Sequence, residues 1–225
     1  MAIRALLFDV YGTLLDVHGL TVALEAAAPG RGAELSALWR QKQIDYTRLR
    51  TLSGHHADFA QVTADGLDFA AEKLGVTLDA AQRAALLAGY DTLPAHADAR
   101  PALVALAGRG DLKLGVLSNG TPQMLERGLG AAGLTPLLPH RLSIEAARKY
   151  KTAPEAYQLG PDALGLPVSE IGFVSSNGWD ACCASWFGYR TIWVNRGQEP
   201  MERLGVAPER EVRGLGDVAE WVAAG

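Results

Sequence analysis

The feature that most constrains the fold is a short apolar segment, residues 3–8, which ends directly at the carboxylate of Asp9. A turn marked by Gly12 and Thr13 follows within a few residues. A short apolar run bounded by a turn is typical of a strand buried on both faces of a parallel sheet. Because ligands of open α/β sheets bind at the carboxyl ends of the strands, Asp9 is a candidate nucleophile at such an edge.

Three more apolar segments each stop at polar or turn residues and therefore predict strands: 113–117, 171–174 and 191–194. Helical patterns alternate with them over residues 100–108, 121–132, 153–159 and 180–187. Strands that alternate with helices predict an α/β fold whose core is a doubly wound, Rossmann-like parallel sheet.

Between the first two predicted strands the chain is rich in Ala, Leu, Glu, Gln and Arg and lacks strand patterns. Its helical patterns cover residues 34–52, 56–74 and 79–90. We therefore expect a helical cap, residues 17–92, inserted after the first strand of a catalytic core formed by residues 1–16 and 93–225. A chain of 225 residues is long enough for one such domain with an inserted subdomain.

Charge and composition limit the classes of partner. The net charge is −4 and no basic stripe is present, which argues against a nucleic-acid partner. No apolar run reaches membrane-spanning length and no signal-like leader precedes the first strand, so we expect no membrane partner and a cytoplasmic location. Cys182 and Cys183 are adjacent, and we expect both to be buried, reduced thiols.

Polar side chains follow the predicted strands at the edge where Asp9 is expected. Ser118 and Asn119 come after the second strand, and the segment 175–180 comes after the third. Lys151 lies between them, just before a helix that contains Tyr157. Because the carboxyl ends of parallel strands meet at one edge, these side chains are expected to converge on a single site.

The first segment, Phe8-Asp9-Val10-Tyr11-Gly12-Thr13, resembles the first motif of the haloacid dehalogenase superfamily. Phosphatases of that superfamily have a second aspartate where this chain has Tyr11, and an acidic metal ligand around residues 175–177, which are Ser, Ser and Asn here. A phenol is uncharged at neutral pH and is a poor ligand for a hard cation. The resemblance therefore implies an enzyme that needs no metal and no other cofactor.

Within the superfamily the chain is most similar to the L-2-haloacid dehalogenases. The similarity spans the whole chain and is clearest at residues 117–120, 173–180 and, in the cap, 39–46. It implies hydrolytic dehalogenation of short (S)-2-haloalkanoic acids to (R)-2-hydroxy acids and halide, by an aspartyl ester on Asp9 with inversion. It also implies a homodimer. Thr152, where the family often has proline, and the Cys182-Cys183 pair depart from the pattern.

The resemblance assigns site residues one by one. The catalytic residues it implies are Asp9, Thr13, Arg40, Ser118, Lys151, Tyr157, Ser175, Asn177 and Asp180. The substrate and halide contacts it implies are Val10, Tyr11, Arg40, Ile44, Phe59, Ser118, Asn119, Lys151 and Trp179.

The expected roles follow from charge and chemistry. Thr13 fixes the Asp9 carboxylate, while Ser118 and Lys151 bind the carboxylate of the substrate. Arg40 and Asn119 stabilise the departing halide, and three aromatic side chains exclude water: Tyr11, Phe59 and Trp179.

The remaining roles concern the second half of the reaction. Tyr157 and Ser175 orient Lys151 and the carboxylates. Asp180 and Asn177 position and activate the hydrolytic water.

Three other functions remain open at this point. One is a magnesium-dependent phosphatase of the same superfamily. Another is a hydrolase that opens a strained ring, such as azetidine-2-carboxylate, with the same aspartate. The third is a binding protein that kept the fold without turnover. Single residues also have purely structural explanations, since Thr13, Ser118 or Asp180 could cap a helix and Arg40 could be a solvated surface residue.

Overall fold

A parallel sheet forms the centre of the molecule in the computed structural model, which describes residues 2–224. The strands are β1 (Ala5–Phe8), β2 (Lys113–Ser118), β3 (His140–Ser143), β4 (Ile171–Ser175), β5 (Arg190–Val194) and β6 (Arg210–Val212). Their order across the sheet is β3-β2-β1-β4-β5-β6, and every neighbouring pair is parallel. The predicted α/β fold with a Rossmann-like parallel sheet is therefore confirmed.

Strand β1 lies at the middle of this sheet and fixes the position of Asp9. All four of its residues are fully buried, as expected for a strand covered on both faces. Its last residue, Phe8, is in register with Val116 of β2 and Val174 of β4. The chain segments that leave β1, β2 and β4 therefore begin at the same edge.

The helices of the described chain cover the sheet and fill the long connection after β1. They are α1 (Thr21–Ala27), α2 (Gly32–Ser53), α3 (Phe59–Lys73), α4 (Ala80–Gly89), α5 (Ala99–Ala107), α6 (Pro122–Ala131), α7 (Pro154–Leu164), α8 (Gly178–Phe187) and α9 (Val218–Ala224). None of the helices within residues 2–224 combines the length and apolar character needed to span a bilayer.

The segment between β1 and β2 is helical, and its helices begin and end where local signals place them. Asp58 caps the start of α3, and Asp79 forms a capping box with Gln82 at the start of α4. Helix α2 ends at Gly54, which has a φ of 75° and so adopts the left-handed conformation typical of a C-cap. We propose that residues 17–92 form the cap, with the connections on either side of it paired through Leu15 and Ala95.

The cap has its own buried face. Leu35, Trp39, Gln43 and Thr47 follow one another at four-residue spacing along α2 and are all buried. Trp39 donates its indole N–H to the carbonyl of Thr63 in α3 at 2.8 Å. Two polar side chains, Gln43 and Thr47, therefore lie on the buried stripe of a helix.

Two strands and two helices were not predicted. Strands β3 and β6 lie at the two edges of the sheet, are only three or four residues long, and have one buried residue each. An edge strand needs no continuous apolar run, so the pattern that identified the central strands is missing. Helices α1 and α9 have seven residues each and offer too few turns for a periodic signal.

The expectation of two buried thiols was wrong for one cysteine. Both Cys182 and Cys183 are free, and Cys182 is buried, but Cys183 is partly exposed. Successive residues of a helix point in directions about 100° apart. Cys182 faces the core, whereas Cys183 is turned further round α8 and borders a surface pocket with Thr152 and Trp186.

A glycine allows α7 to lie close to the sheet, which leads to a stability prediction. A Cβ atom at Gly160 would collide with the Tyr189 hydroxyl and with Leu7 of β1, whereas one at Gly130 in α6 would meet nothing closer than 3.9 Å. Gly160→Ala should lower the free energy of unfolding by roughly 1–3 kcal/mol through overpacking. Gly130→Ala should raise it by up to about 1 kcal/mol, because alanine favours a helix.

Urea unfolding of both variants beside the unmodified protein measures this difference. Equal effects of the two substitutions would contradict the close approach of α7 to β1.

Candidate active site

The carboxylate of Asp9 is held in place at the carboxyl end of β1. Its Oδ2 accepts hydrogen bonds from the Thr13 hydroxyl at 3.0 Å and from Nδ2 of Asn177 at 2.8 Å. Its Oδ1 accepts from Nζ of Lys151 at 3.1 Å. The predicted proximity of these side chains is therefore present in the structure.

Thr13 is oriented by the backbone as well as by Asp9. Its hydroxyl oxygen accepts the backbone N–H of Ser176 at 2.8 Å, so its own hydrogen is free to point at Asp9. The turn that brings Thr13 back beneath Asp9 passes through Gly12, whose φ is 91°. A side chain at position 12 would be strained in that conformation.

Lys151 connects two carboxylates inside the protein. Its side chain is 1% exposed, and Nζ lies 3.1 Å from Oδ1 of Asp9 and 3.0 Å from Oδ2 of Asp180. Burial by itself lowers the pKa of Lys151, but the negative charges of Asp180 and Asp9 outweigh that effect and leave the pKa above its usual value. Lys151 is therefore an ammonium ion throughout the physiological pH range.

Asp180 is fully buried in the first turn of α8. Its Oδ1 accepts from the Tyr157 hydroxyl at 2.7 Å, and its Oδ2 accepts from Ser175 at 3.0 Å as well as from Lys151. Burial raises the pKa of Asp180, and the charge of Lys151 opposes that rise. Asn177 occupies the N-cap position of α8, so the alternative that Asp180 merely caps this helix is wrong.

A small enclosed cavity lies between the cap and this cluster. Its volume is about 20 Å³, little more than one water molecule requires. It is lined by Asp9, Tyr11, Asn119, Asn177 and Trp179 from the sheet edge and by Arg40, Ile44, Thr47 and Phe59 from the helices after β1. Asn177 and Trp179 also line a wider, open cleft of about 960 Å³ beside it.

Arg40 reaches from α2 to the edge of the sheet. Its Nη1 donates to Oε1 of Gln43 at 2.6 Å, and its Nη2 lies 3.3 Å from the carbonyl oxygen of Tyr11 and 3.5 Å from Oδ1 of Asn177. The guanidinium thus forms part of the cavity wall together with Asp9. This placement argues against a solvated surface role for Arg40.

Aromatic rings form much of the remaining wall. The ring of Tyr11 packs against Phe59 with 5.5 Å between centroids, and the guanidinium of Arg48 lies over Trp179 at 4.9 Å. Burial raises the pKa of Tyr11 far above its ordinary value, so its hydroxyl stays neutral. That hydroxyl is buried and has no hydrogen-bond partner among residues 2–224.

Several predicted site residues lie behind the cavity wall. Val10 and Ser118 are fully buried, and the Ser118 hydroxyl accepts the backbone N–H of Gly120 at 3.1 Å. Lys151 and Asp180 likewise belong to the buried cluster. Direct contact of Val10, Ser118 and Lys151 with a substrate stays a prediction, as does the action of Asp180 on water.

The sequence reasoning missed Thr47 and Gln43. Thr47 lines the cavity and lies on the same face of α2 as Arg40 and Ile44, at helical spacings of seven and three residues. That spacing is the signal that could have identified it. Gln43 is fully buried beneath Arg40, and a glutamine within a polar stretch gives no sign of burial.

The described residues contain no group of three or more His, Cys, Asp or Glu side chains arranged to hold a metal ion. In the cluster around Asp9 and Asp180, the positive charge between the carboxylates is supplied by Lys151.

A family model described as a haloacid dehalogenase-like hydrolase matches residues 3–188. The chain belongs to this family. It is 44% identical to an (S)-2-haloacid dehalogenase of Pseudomonas sp. strain YL, over 97% of this chain and 94% of that protein. The membership inferred from the motifs, in the haloacid dehalogenase superfamily and its L-2-haloacid dehalogenase branch, is thereby confirmed.

Solved structures agree with this placement among the haloacid dehalogenase-like hydrolases. One L-2-haloacid dehalogenase is 46% identical with a TM-score of 0.97, and the match covers 99% of this chain and all of that one, 100%. The L-2-haloacid dehalogenase of Xanthobacter autotrophicus, solved with chloropropionic acid covalently bound, is 36% identical with a TM-score of 0.91 and 98% coverage of both chains.

The buried cluster of this hydrolase predicts an unusual pH dependence for Lys151→Met. Removing the ammonium leaves Asp9 and Asp180 without their buried counter-ion, which should cost roughly 3–5 kcal/mol at neutral pH. Burial already raises the pKa of Asp180, and loss of Lys151 should raise it further. Stability is therefore lost as the pH rises from the ordinary pKa of a carboxyl group to the raised pKa of the folded state, and it is regained as the pH falls through the same range.

Urea unfolding should therefore show the variant gaining stability, relative to the unmodified protein, as the pH is lowered from neutral toward the ordinary pKa of a carboxyl group. Lys149→Met is the matched control, because within residues 2–224 the Lys149 ammonium donates to the carbonyl oxygen of Thr51, at 3.4 Å, and has no carboxylate partner. A pH-independent loss in Lys151→Met would contradict the charge balance described above.

Proposed function

We propose that the protein hydrolyses short (S)-2-haloalkanoic acids to (R)-2-hydroxy acids and halide. The observation on which the proposal rests is a carboxylate, Asp9, held at one wall of a cavity while a guanidinium, Arg40, lies at another. A displacement at carbon needs both a fixed nucleophile and a cation for the departing anion. The similarity to (S)-2-haloacid dehalogenases supports the same reaction.

In the first step Asp9 attacks the carbon that bears the halogen from the opposite face. A carbon–oxygen bond forms, the carbon–halogen bond breaks, and the halide leaves with the bonding electrons, which inverts the carbon. Oδ1 accepts from Lys151, whereas Oδ2 accepts from Thr13 and Asn177. A covalent chloropropionic acid adduct of the Xanthobacter relative supports an ester intermediate.

In the second step water attacks the carbonyl carbon of the Asp9 ester and releases the hydroxy acid. Asn177, at the cavity wall, is suited to hold this water. Asp180 is the carboxylate of the cluster that stays free when Asp9 is esterified, and the pKa raised by its burial favours proton uptake. Tyr157 and Ser175 fix Asp180 and, through it, Lys151.

The substrate and the halide are bound by different groups. Ser118, Lys151 and nearby backbone N–H groups are assigned to the substrate carboxylate, while Arg40 and Asn119 are assigned to the halide. The Oδ1 atom of Asn119 accepts the Lys151 backbone N–H, so its Nδ2 is the end that can donate to an anion.

Apolar side chains complete the proposed substrate pocket. They are Val10, Tyr11, Ile44, Phe59 and Trp179. Exclusion of water strengthens every electrostatic interaction inside the pocket and protects the ester until the second step. A cavity of about 20 Å³ is too small for a haloacid, so the cap and the sheet edge must separate to admit one.

We further propose that the reaction needs no metal and no cofactor. A phosphatase of the superfamily has a second aspartate where this chain has Tyr11, and an acidic metal ligand around residues 175–177, which are Ser, Ser and Asn here. A hydrolase that opens a strained ring would use the same Asp9, so only a substrate screen distinguishes ring opening from dehalogenation. By resemblance we also propose a homodimer that acts in the cytoplasm, with neither nucleic acid nor membrane as a partner.

The test is halide release from racemic 2-chloropropionate, with chiral analysis of the product and a parallel reaction after exhaustive chelation. We expect consumption of the (S) enantiomer alone, (R)-lactate as the product, and the same rate with and without chelator. A strict magnesium requirement with turnover of phosphate esters would contradict the proposal and favour a phosphatase. An (S) product would contradict the inversion.

A further inference from the structure

We infer that Gln43 is a positioning residue for departure of the halide, because it holds the guanidinium of Arg40 in place through a buried chain of hydrogen bonds in the cap. The inference rests on the proposed function, in which Arg40 meets the halide. It adds a residue that does not line the cavity and that has no counterpart among the predicted site residues.

The first observation is the burial of Gln43. It is three residues after Arg40 on α2, its side chain is fully buried, and its Oε1 accepts from Nη1 of Arg40 at 2.6 Å. A buried amide costs stability unless its polar atoms are paired, and an aliphatic side chain would serve packing equally well. Its neighbours on the same stripe, Leu35 and Trp39, show that the face otherwise accepts large apolar groups.

The second observation is that the direction of the Gln43 amide is fixed. Nε2 of Gln43 donates to the Thr63 hydroxyl at 2.7 Å, and that hydroxyl donates its own hydrogen to the carbonyl of Phe59 at 2.6 Å. Since Thr63 uses its hydrogen on Phe59, it can only accept from Gln43. The oxygen of Gln43 must therefore face Arg40, and the chain of bonds has one consistent direction.

The third observation separates Gln43 from the other partners of Arg40. The contacts of Arg40 with the carbonyl of Tyr11 and with Asn177 are longer, 3.3 and 3.5 Å, and both reach across to the sheet edge. The contact with Gln43 lies within α2 and moves with the cap. Gln43 can thus keep the guanidinium oriented while the cap and the sheet edge separate to admit a substrate.

Such orientation matters most when the leaving group is poor. A fixed donor lowers the barrier because it is already aimed at the place where charge develops. Chloride is a poorer leaving group than bromide and depends more on that help. A Gln43 substitution that frees Arg40 should slow loss of chloride more than loss of bromide, whereas a purely structural defect should slow both equally.

The experiment compares single-turnover halide release from (S)-2-chloropropionate and (S)-2-bromopropionate, with enzyme in excess. Gln43→Met has nearly the same volume and lacks the acceptor. We expect its rate with the chloro acid to fall about 10-fold or more. The fold-decrease with the bromo acid should be smaller by a factor of about 3 or more, and substrate binding should change little. Arg40→Lys, which lacks the planar fork, should show the same halide dependence more strongly.

Two further variants keep the test decisive. Gln61→Met changes an exposed glutamine of α3 and should leave both rates unchanged. Thr63→Val removes the hydroxyl that orients the Gln43 amide and should give the same halide dependence in weaker form. This variant tests the inference even if Gln43→Met does not fold.

Thermal melts of each variant identify a folding defect. Equal losses with the two acids, or full activity, in folded Gln43→Met and Thr63→Val would overturn the inference. Absence of halide release by the unmodified enzyme would instead contradict the proposed function.

Discussion

The structure depends on one interaction, the ammonium of Lys151 between the carboxylates of Asp9 and Asp180. Isolated charges inside a protein are costly, and here each charged group has an opposite partner and additional hydrogen bonds. The arrangement fixes Asp9, the proposed nucleophile, and Asp180, the carboxylate proposed for the second step, and it places a positive charge between them. Tyr157, Ser175, Thr13 and Asn177 complete the hydrogen bonds of the two carboxylates.

The fold explains how distant residues reach this interaction. Parallel strands β1, β2 and β4 end at the same edge, so the segments that follow them meet although more than a hundred residues lie between β1 and β2. The cap supplies what the edge lacks, a guanidinium and an apolar wall, from helix α2 and the start of α3. Asp9 and Arg40 thus come from different parts of the chain, and the contact between the cap and the sheet edge brings the proposed nucleophile and the proposed halide ligand to one cavity.

The sheet and the edge that carries the candidate site could be predicted from the sequence because central strands are continuous apolar runs, and Asp9, Ser118 and Ser175 follow such runs directly. The edge strands β3 and β6 could not, since strands with one neighbour need no such run. The roles of Arg40 and Lys151 came from resemblance alone, because nothing local distinguishes them from surface residues. Gln43 was missed because only tertiary packing shows that its face of the polar helix α2 is buried, whereas the spacing of Thr47 from Arg40 and Ile44 could have identified Thr47.

The central claim, that Asp9 attacks carbon and water then attacks Asp9, is tested most directly by a single turnover in heavy-oxygen water. With enzyme in excess over (S)-2-chloropropionate, the hydroxy acid of the first turnover should contain unlabelled oxygen that came from Asp9. The heavy oxygen should appear in the peptide that contains Asp9, as measured by mass spectrometry. Labelled hydroxy acid from the first turnover, with no label in that peptide, would contradict the claim and indicate direct attack by water.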